Sequence, residues 1–108
     1  MPIQSVWFDS DKTIIYTQAP ETFTVQEFIL AVREIGEFAE TVDHPVALII
    51  DESNVARVPS GMLSAMRSQI RHLHVREVVA VGPPPIVQAL LGVLTQLPGL
   101  TARVPYTA

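Results

Sequence analysis

The chain begins with two short apolar runs that are separated by a polar turn. The first run covers residues 3–8 and the second covers residues 13–17. Between them, the sequence Asp-Ser-Asp-Lys at 9–12 consists of residue types that favour a tight turn. Two extended runs joined in this way predict a β-hairpin.

After Pro20 the apolar positions change to helical spacing. Thr24 and Glu27 have the Thr-x-x-Glu spacing of a capping box, in which each side chain satisfies a free amide at the helix start. The helix should end near Val42, because the residue before Pro45 avoids helical backbone angles. Apolar residues at three-to-four spacing predict one stripe that faces a sheet: Phe28, Ala31, Val32, Ile35, Ala39 and Val42.

The middle of the chain reads as strand, helix and strand. Residues 46–50 form an uninterrupted apolar run ending at Asp51, which is typical of a central strand covered on both faces. Residues 77–81 predict another short buried strand, closed by Gly82. A second helix is predicted to begin around 59–61. Its expected inner face consists of four apolar residues: Leu63, Met66, Ile70 and Leu73.

A third helix is predicted from about Ile86 to Leu97. Prolines at 83–85 fit the loop and first turn before it, and Pro-Gly at 98–99 ends it. Residues 100–106 could add a final strand. The whole order predicts a single layered α/β domain over 1–108, with a mixed four- to five-stranded sheet, an N-terminal β-hairpin and three main helices.

Composition excludes several classes of protein. The 108 residues are 48% hydrophobic, which is too apolar for a disordered chain, and the lack of cysteine excludes a disulfide scaffold or a thiol nucleophile. Residues 1–12 lack the features of a secretory signal, so we expect a cytoplasmic protein. Residues 78–102 carry no charge, but their prolines leave a helix of only about a dozen residues where roughly twenty are needed, so we expect no membrane span.

The net charge of −4 hides an uneven distribution. Residues 1–52 hold ten of the eleven acidic residues, whereas residues 53–108 hold five of the seven basic ones. These charges are either solvated helix faces or surfaces that meet a protein partner or a second copy in a homodimer. Arg67 and Arg71 would form the basic partner face. The basic residues are few and lack aromatic company, so we expect no nucleic-acid binding.

The sequence carries none of the common catalytic or nucleotide-binding motifs. We therefore do not expect an enzyme or a bound cofactor. His72 and His74 are expected in solvent near a helix end, and their surroundings lack the carboxylates that a metal site would need.

Asp51 is the most informative acidic residue, because it ends the predicted central strand. Open α/β sheets bind ligands at the carboxyl ends of their strands. Asn54, Ser60 and Gly82 lie on strand-end loops that could converge with Asp51 on a ligand or partner. Two other roles for Asp51 are a cap for the turn that follows it and, as a third functional option, the catalytic carboxylate of an enzyme.

Ser60 stands where the second helix is predicted to begin. Helix amides and the helix dipole favour negative charge there, so the residue is a candidate for phosphorylation or for an anion site. The alternative role is simple capping of the helix, for which serine is well suited.

Residues 47–63 resemble the core of STAS domains, found in bacterial anti-sigma-factor antagonists and in the cytoplasmic tails of sulfate transporters. Those domains have a strand ending in Asp, then a loop, then Asp-Ser-x-Gly opening a helix. The phosphorylated serine of the family falls on Ser60, with Pro59 in place of the acid and Met62 in place of the glycine. Alignment on Gly61 instead moves Pro59 onto that position.

The resemblance implies a STAS-like fold and a non-enzymatic regulatory module that binds a protein partner, such as an anti-sigma-type kinase. The alternative is a small-molecule or lipid-binding domain that uses the apolar last helix and the strand-end loops. The loop residues that would contact a ligand or partner are Asp51, Asn54, Pro59, Gly61 and Gly82.

Overall fold

The computed structural model describes residues 3–69, 72–82 and 101–106. Seven elements follow one another along these ranges. They are β1 (Gln4–Trp7), β2 (Ile14–Gln18), α1 (Val25–Glu40), β3 (Ala47–Asp51), α2 (Met62–Gln69), β4 (Glu77–Val81) and β5 (Thr101–Tyr106).

The five strands form one mixed sheet in chain order. β1 is antiparallel to β2, whereas β2, β3, β4 and β5 run parallel to one another. The predicted hairpin is confirmed. Its turn is held by Asp9, whose carboxylate accepts hydrogen bonds from the backbone N–H groups of Thr13 at 2.9 Å and Ile14 at 3.0 Å.

Helix α1 begins as its sequence predicts. The Glu27 N–H donates to Thr24 Oγ1 at 3.0 Å, and the Thr24 N–H donates to Glu27 Oε1 at 2.9 Å, so the capping box is complete. The helix ends at Glu40, two residues before the predicted Val42. Thr41 caps it, because its hydroxyl donates to the carbonyl oxygen of Phe38 at 2.7 Å.

The core lies between α1 and one face of the sheet, which we call the helix face. Ile15, Leu48 and Val78 are aligned across β2, β3 and β4 and are almost completely inaccessible. Val32 and Ile35 of α1 belong to the same buried cluster. The helix face therefore supplies most of the apolar burial that stabilises the fold.

The opposite side of the sheet, which we call the second face, is less covered. Tyr16, Ile49 and Val79 are aligned there and are only half-buried. The central position of β3 is confirmed, but equal burial on both faces is not. The reason is that Leu48 packs under the helix layer, whereas Ile49 points away from it.

Helix α2 differs from its prediction. It begins at Met62, and its buried residues are Ala65 and Met66, whereas Leu63 is exposed. The predicted inner face is therefore wrong at Leu63, because this helix of eight residues turns Ala65 and Met66 toward the core instead. Of the other two predicted inner residues, Leu73 is buried but lies past the end of the helix, and Ile70 lies outside the described residues.

The described ranges contain two helices rather than the three predicted, and the third predicted helix, 86–97, lies outside them. The α/β class, the mixed sheet and the N-terminal hairpin are confirmed. Neither α1 nor α2 has the length and apolar character that crossing a membrane requires.

Candidate ligand-binding cavity

Two consecutive acids at the carboxyl end of β3 lie on opposite faces of the sheet. Successive side chains of a strand alternate between faces, so Glu52 continues the helix-face series of Leu48 and Ile50. Asp51 continues the second-face series of Ile49. The backbone remains paired at this point, since the Glu52 N–H donates to the carbonyl oxygen of Val81 at 2.9 Å.

A cavity of about 90 Å³ lies between the helix face and the segments that cover it. Its walls come from β2, β3 and β4, from α1 and α2, and from the loop that joins β3 to α2. Apolar side chains from these elements include Phe28, Val32, Ile50, Val55, Met66 and Val78. Thr17 and Glu52 supply the two polar side chains among the described lining residues.

Glu52 is half-buried, and one of its carboxyl oxygens has no hydrogen-bond partner among the described residues. Oε2 is inaccessible and unpaired among the residues that the structure describes. Burial, followed by the negative charge of Asp51, raises the pKa of Glu52 from 4.5 to about 7. At neutral pH the group is therefore divided between its neutral and its charged form, and it can donate or accept a hydrogen bond.

Thr17 is the second polar group of the cavity wall and is only 3% exposed. Its hydroxyl lies 2.8 Å from Ser5 Oγ, and either oxygen could be the donor. One proton serves this bond, so the second hydroxyl proton of the pair is available to another acceptor. Among the described lining residues, the wall thus offers one carboxyl group and one hydroxyl group in an otherwise apolar surface.

Asp51 caps the turn after β3, as the alternative interpretation proposed. Its Oδ1 accepts the backbone N–H of Ser53 at 3.1 Å and the hydroxyl of Ser53 at 2.5 Å. Its Oδ2 accepts the Tyr16 hydroxyl at 2.8 Å. The bonds from Ser53 and then from Tyr16 lower the pKa of Asp51, and the same contact with Asp51 raises the pKa of Tyr16.

Gly82, one of the predicted loop residues, lies against this turn. Its φ is +62°, and a Cβ at position 82 would lie 2.9 Å from the Cβ of Ser53. Glycine is favoured there because it has no side chain and adopts positive φ without strain. Asn54 is exposed in the same turn. The structure therefore brings Asp51, Ser53 and Gly82 together, on the turn rather than in the cavity.

Ser60 is exposed and makes no hydrogen bond with Asp51 or Gly82. It does not cap α2, because the helix starts at Met62 and Gly61, with φ +85°, provides the carbonyl oxygen that the Ala65 N–H reaches at 3.0 Å. Pro59 is half-buried beside it. The hydroxyl of Ser60 is consequently open to solvent.

The remaining predicted residues lie away from the cavity. Arg67 is exposed in the last turn of α2, and Arg71 lies outside the described residues. His74 is paired with Glu40, with 3.3 Å between Nε2 and Oε1. Within the described ranges, no three His, Asp or Glu side chains form a group that could hold a metal ion.

Glu52 is the site residue that the sequence reasoning missed. A strand predicted to end at Asp51 places Glu52 in the following loop, where acidic residues are common and do not indicate a site. The usable signal was the alternation of side chains: a strand that buries Leu48 and Ile50 also directs residue 52 to the same face if pairing continues.

Comparison of the chain with protein-family models, with curated proteins and with solved structures found no match. The resemblance to STAS domains therefore stays a prediction, and the cavity is interpreted from its own chemistry.

Proposed function

We propose that this protein is a binding module for a small, mostly apolar molecule, which occupies the cavity between the helix face and the two helices. The observation that carries the proposal is the carboxyl group of Glu52 in the wall of a cavity whose other described lining side chains, apart from Thr17, are apolar. One oxygen of that group, Oε2, has no hydrogen-bond partner among the described residues. A buried polar group without a partner costs about 1–3 kcal/mol, and a ligand that bonds to it would recover that cost.

The place of the cavity in the fold supports the same proposal. Ala19, Glu52 and Val55 line it just beyond the carboxyl ends of β2 and β3. Ligands of open α/β sheets bind at this edge. An apolar wall with a few polar groups is also the usual composition of a small-molecule site, since the wall provides affinity and the polar groups orient the ligand.

Titration with n-butanol, followed by NMR of the methyl groups, tests the proposal. We expect shifts at Ile50, Val55 and Val78, together with ligand-to-protein nuclear Overhauser effects to the same residues. Val55→Phe should block binding by filling the cavity. Val6→Phe is the matched control, because Val6 is 56% exposed on β1 and does not line the cavity.

The spectra of the wild-type protein test binding in the cavity even if Val55→Phe folds poorly. Shifts spread over exposed methyl groups such as that of Val6, with no Overhauser effect to the cavity wall, would overturn the proposed function.

We propose as a second candidate the regulatory protein-interaction module that the STAS resemblance implies. The exposed hydroxyl of Ser60, directly before Gly61 and α2, favours it because a kinase can reach it. The exposed Arg67 would belong to the face that meets the partner. Mass spectrometry of protein isolated from its host should find phosphate on Ser60 and none on Ser64, which is also exposed. A Ser60 peptide that stays unmodified through growth and stress would contradict this candidate.

A further inference from the structure

We infer that the cavity binds a primary ammonium ion with a short hydrocarbon tail. The charged ammonium group bonds to the carboxyl group of Glu52. The inference rests on the proposed function and names the class of ligand that the site accepts. Its basis is the chemistry of the cavity wall, which consists of one carboxyl group, one hydroxyl group and apolar carbon elsewhere among the described lining residues. Within that part of the chain, Oε2 of the carboxyl group has no hydrogen-bond partner.

The charges around the cavity disfavour an anion. No lysine, arginine or histidine occurs among the described residues that line it, so a ligand carboxylate or phosphate would have no positive partner. Asp51 adjoins Glu52 in the chain, and its negative charge acts on the Glu52 carboxyl group. An anion placed beside Glu52 would meet repulsion, whereas a cation would be attracted to the site.

A ligand with an ammonium group offers more hydrogen-bond donors to the polar groups of the cavity wall than a ligand with a neutral hydroxyl group. An ammonium group carries three donors, and the Glu52 carboxyl group and the Thr17 hydroxyl oxygen are the acceptors among the described lining side chains. A charge-assisted bond is about twice as strong as a neutral one. The carboxylate form of Glu52 is thereby stabilised inside the apolar enclosure.

Binding should therefore displace a proton. Where Glu52 is neutral, the incoming ammonium requires loss of the carboxyl proton to the buffer, and the ion pair forms between the ammonium and the remaining carboxylate. With the pKa at about 7, we expect nearly one proton released per ligand at about pH 6, about half a proton at about pH 7 and almost none above about pH 8. Affinity for the ammonium should rise with pH over the same range.

Calorimetric titration with butylamine, n-butanol and pentanoate tests the inference, because the three share a butyl tail and differ in the head. At about pH 8 we expect butylamine to bind most tightly and pentanoate least. Glu52→Gln should weaken butylamine by about 10- to 100-fold and change n-butanol little. Glu34→Gln is the control, because Glu34 is an exposed acid of α1 outside the cavity.

A measurement on the unaltered protein keeps the test independent of folding in the variant. NMR of the Glu52 carboxyl carbon should show its pKa lowered by saturating butylamine. If n-butanol enters the cavity but butylamine binds no more tightly than n-butanol, the ligand class is wrong while the binding function stands. The same conclusion follows if butylamine still binds more tightly than n-butanol in Glu52→Gln. If none of the three compounds enters the cavity, both the ligand class and the proposed binding function are wrong.

Discussion

Asp51 and Glu52 are neighbours in the chain, yet they lie on opposite faces of the sheet and in opposite electrostatic environments. Asp51 receives hydrogen bonds from Ser53 and Tyr16, which lower its pKa, whereas burial raises the pKa of Glu52. One peptide unit thus separates a carboxylate with a structural role from a carboxyl group that faces an apolar cavity.

Glu52 should make the stability of the protein fall as pH rises. Its folded-state pKa of about 7 lies above its ordinary value of 4.5. The contribution of Glu52 to the free energy of unfolding is therefore complete below about pH 4.5 and is lost as pH rises through 7. The difference of about 2.5 pH units corresponds to about 3 kcal/mol. Urea unfolding across this range should show the decline in the wild type and a flatter profile in Glu52→Gln.

Glu34→Gln provides the matched control, because it removes an exposed acid from α1 and should leave the decline in place. If the free energy of unfolding changes with pH in the same way in the wild type and in Glu52→Gln, the carboxyl group of Glu52 does not ionise in an apolar environment.

Tyr16→Phe should weaken the strand-end turn. The substitution removes the 2.8 Å hydrogen bond to Asp51, at a cost of about 1–2 kcal/mol in the free energy of unfolding. The pKa of Asp51 should rise toward its ordinary value, which carboxyl NMR can follow. Asp51→Asn provides the reciprocal test, since the pKa of the Tyr16 phenol should then fall. An unchanged pKa of Asp51 in Tyr16→Phe would refute the contact.

Gly36→Ala should destabilise the fold although alanine is the better helix former. A Cβ at position 36 would lie 2.1 Å from the carbonyl oxygen of His72, so α1 and this segment would have to separate. We expect a loss of about 2 kcal/mol or more. Glu37→Ala is the control on the next, exposed position and should be nearly neutral. Equal urea midpoints for the two variants would argue against the close approach.

Thr24→Ala should destabilise α1 by about 1 kcal/mol, because the cap hydroxyl no longer accepts the Glu27 N–H. Thr24→Ser keeps the hydroxyl and should recover most of the loss. Thr22→Ala, at an exposed position before the helix, serves as the control. Thermal unfolding should rank the wild type and Thr24→Ser above Thr24→Ala, and a lack of difference would exclude the capping box as a source of stability.

The features that the sequence predicted well depend on nearby residues. The hairpin turn at 9–12, the capping box of Thr24 and the apolar stripe of α1 all arise within a few residues of one another, so their pattern is visible in the chain. Helix α2 was predicted less well. Its eight residues carry a weaker pattern, and the orientation of Leu63 depends on how Ala65 and Met66 pack.

By itself the sequence determined an α/β order, the identity of the central strand and the start of α1, because backbone propensity and side-chain periodicity act locally. Tertiary structure decided that Asp51 caps a turn on one face and that Glu52 lines a cavity on the other. Strand pairing beyond Asp51 and the helices packed over Ile50 create that difference, since a carboxyl group acquires its environment from residues that are distant in the chain.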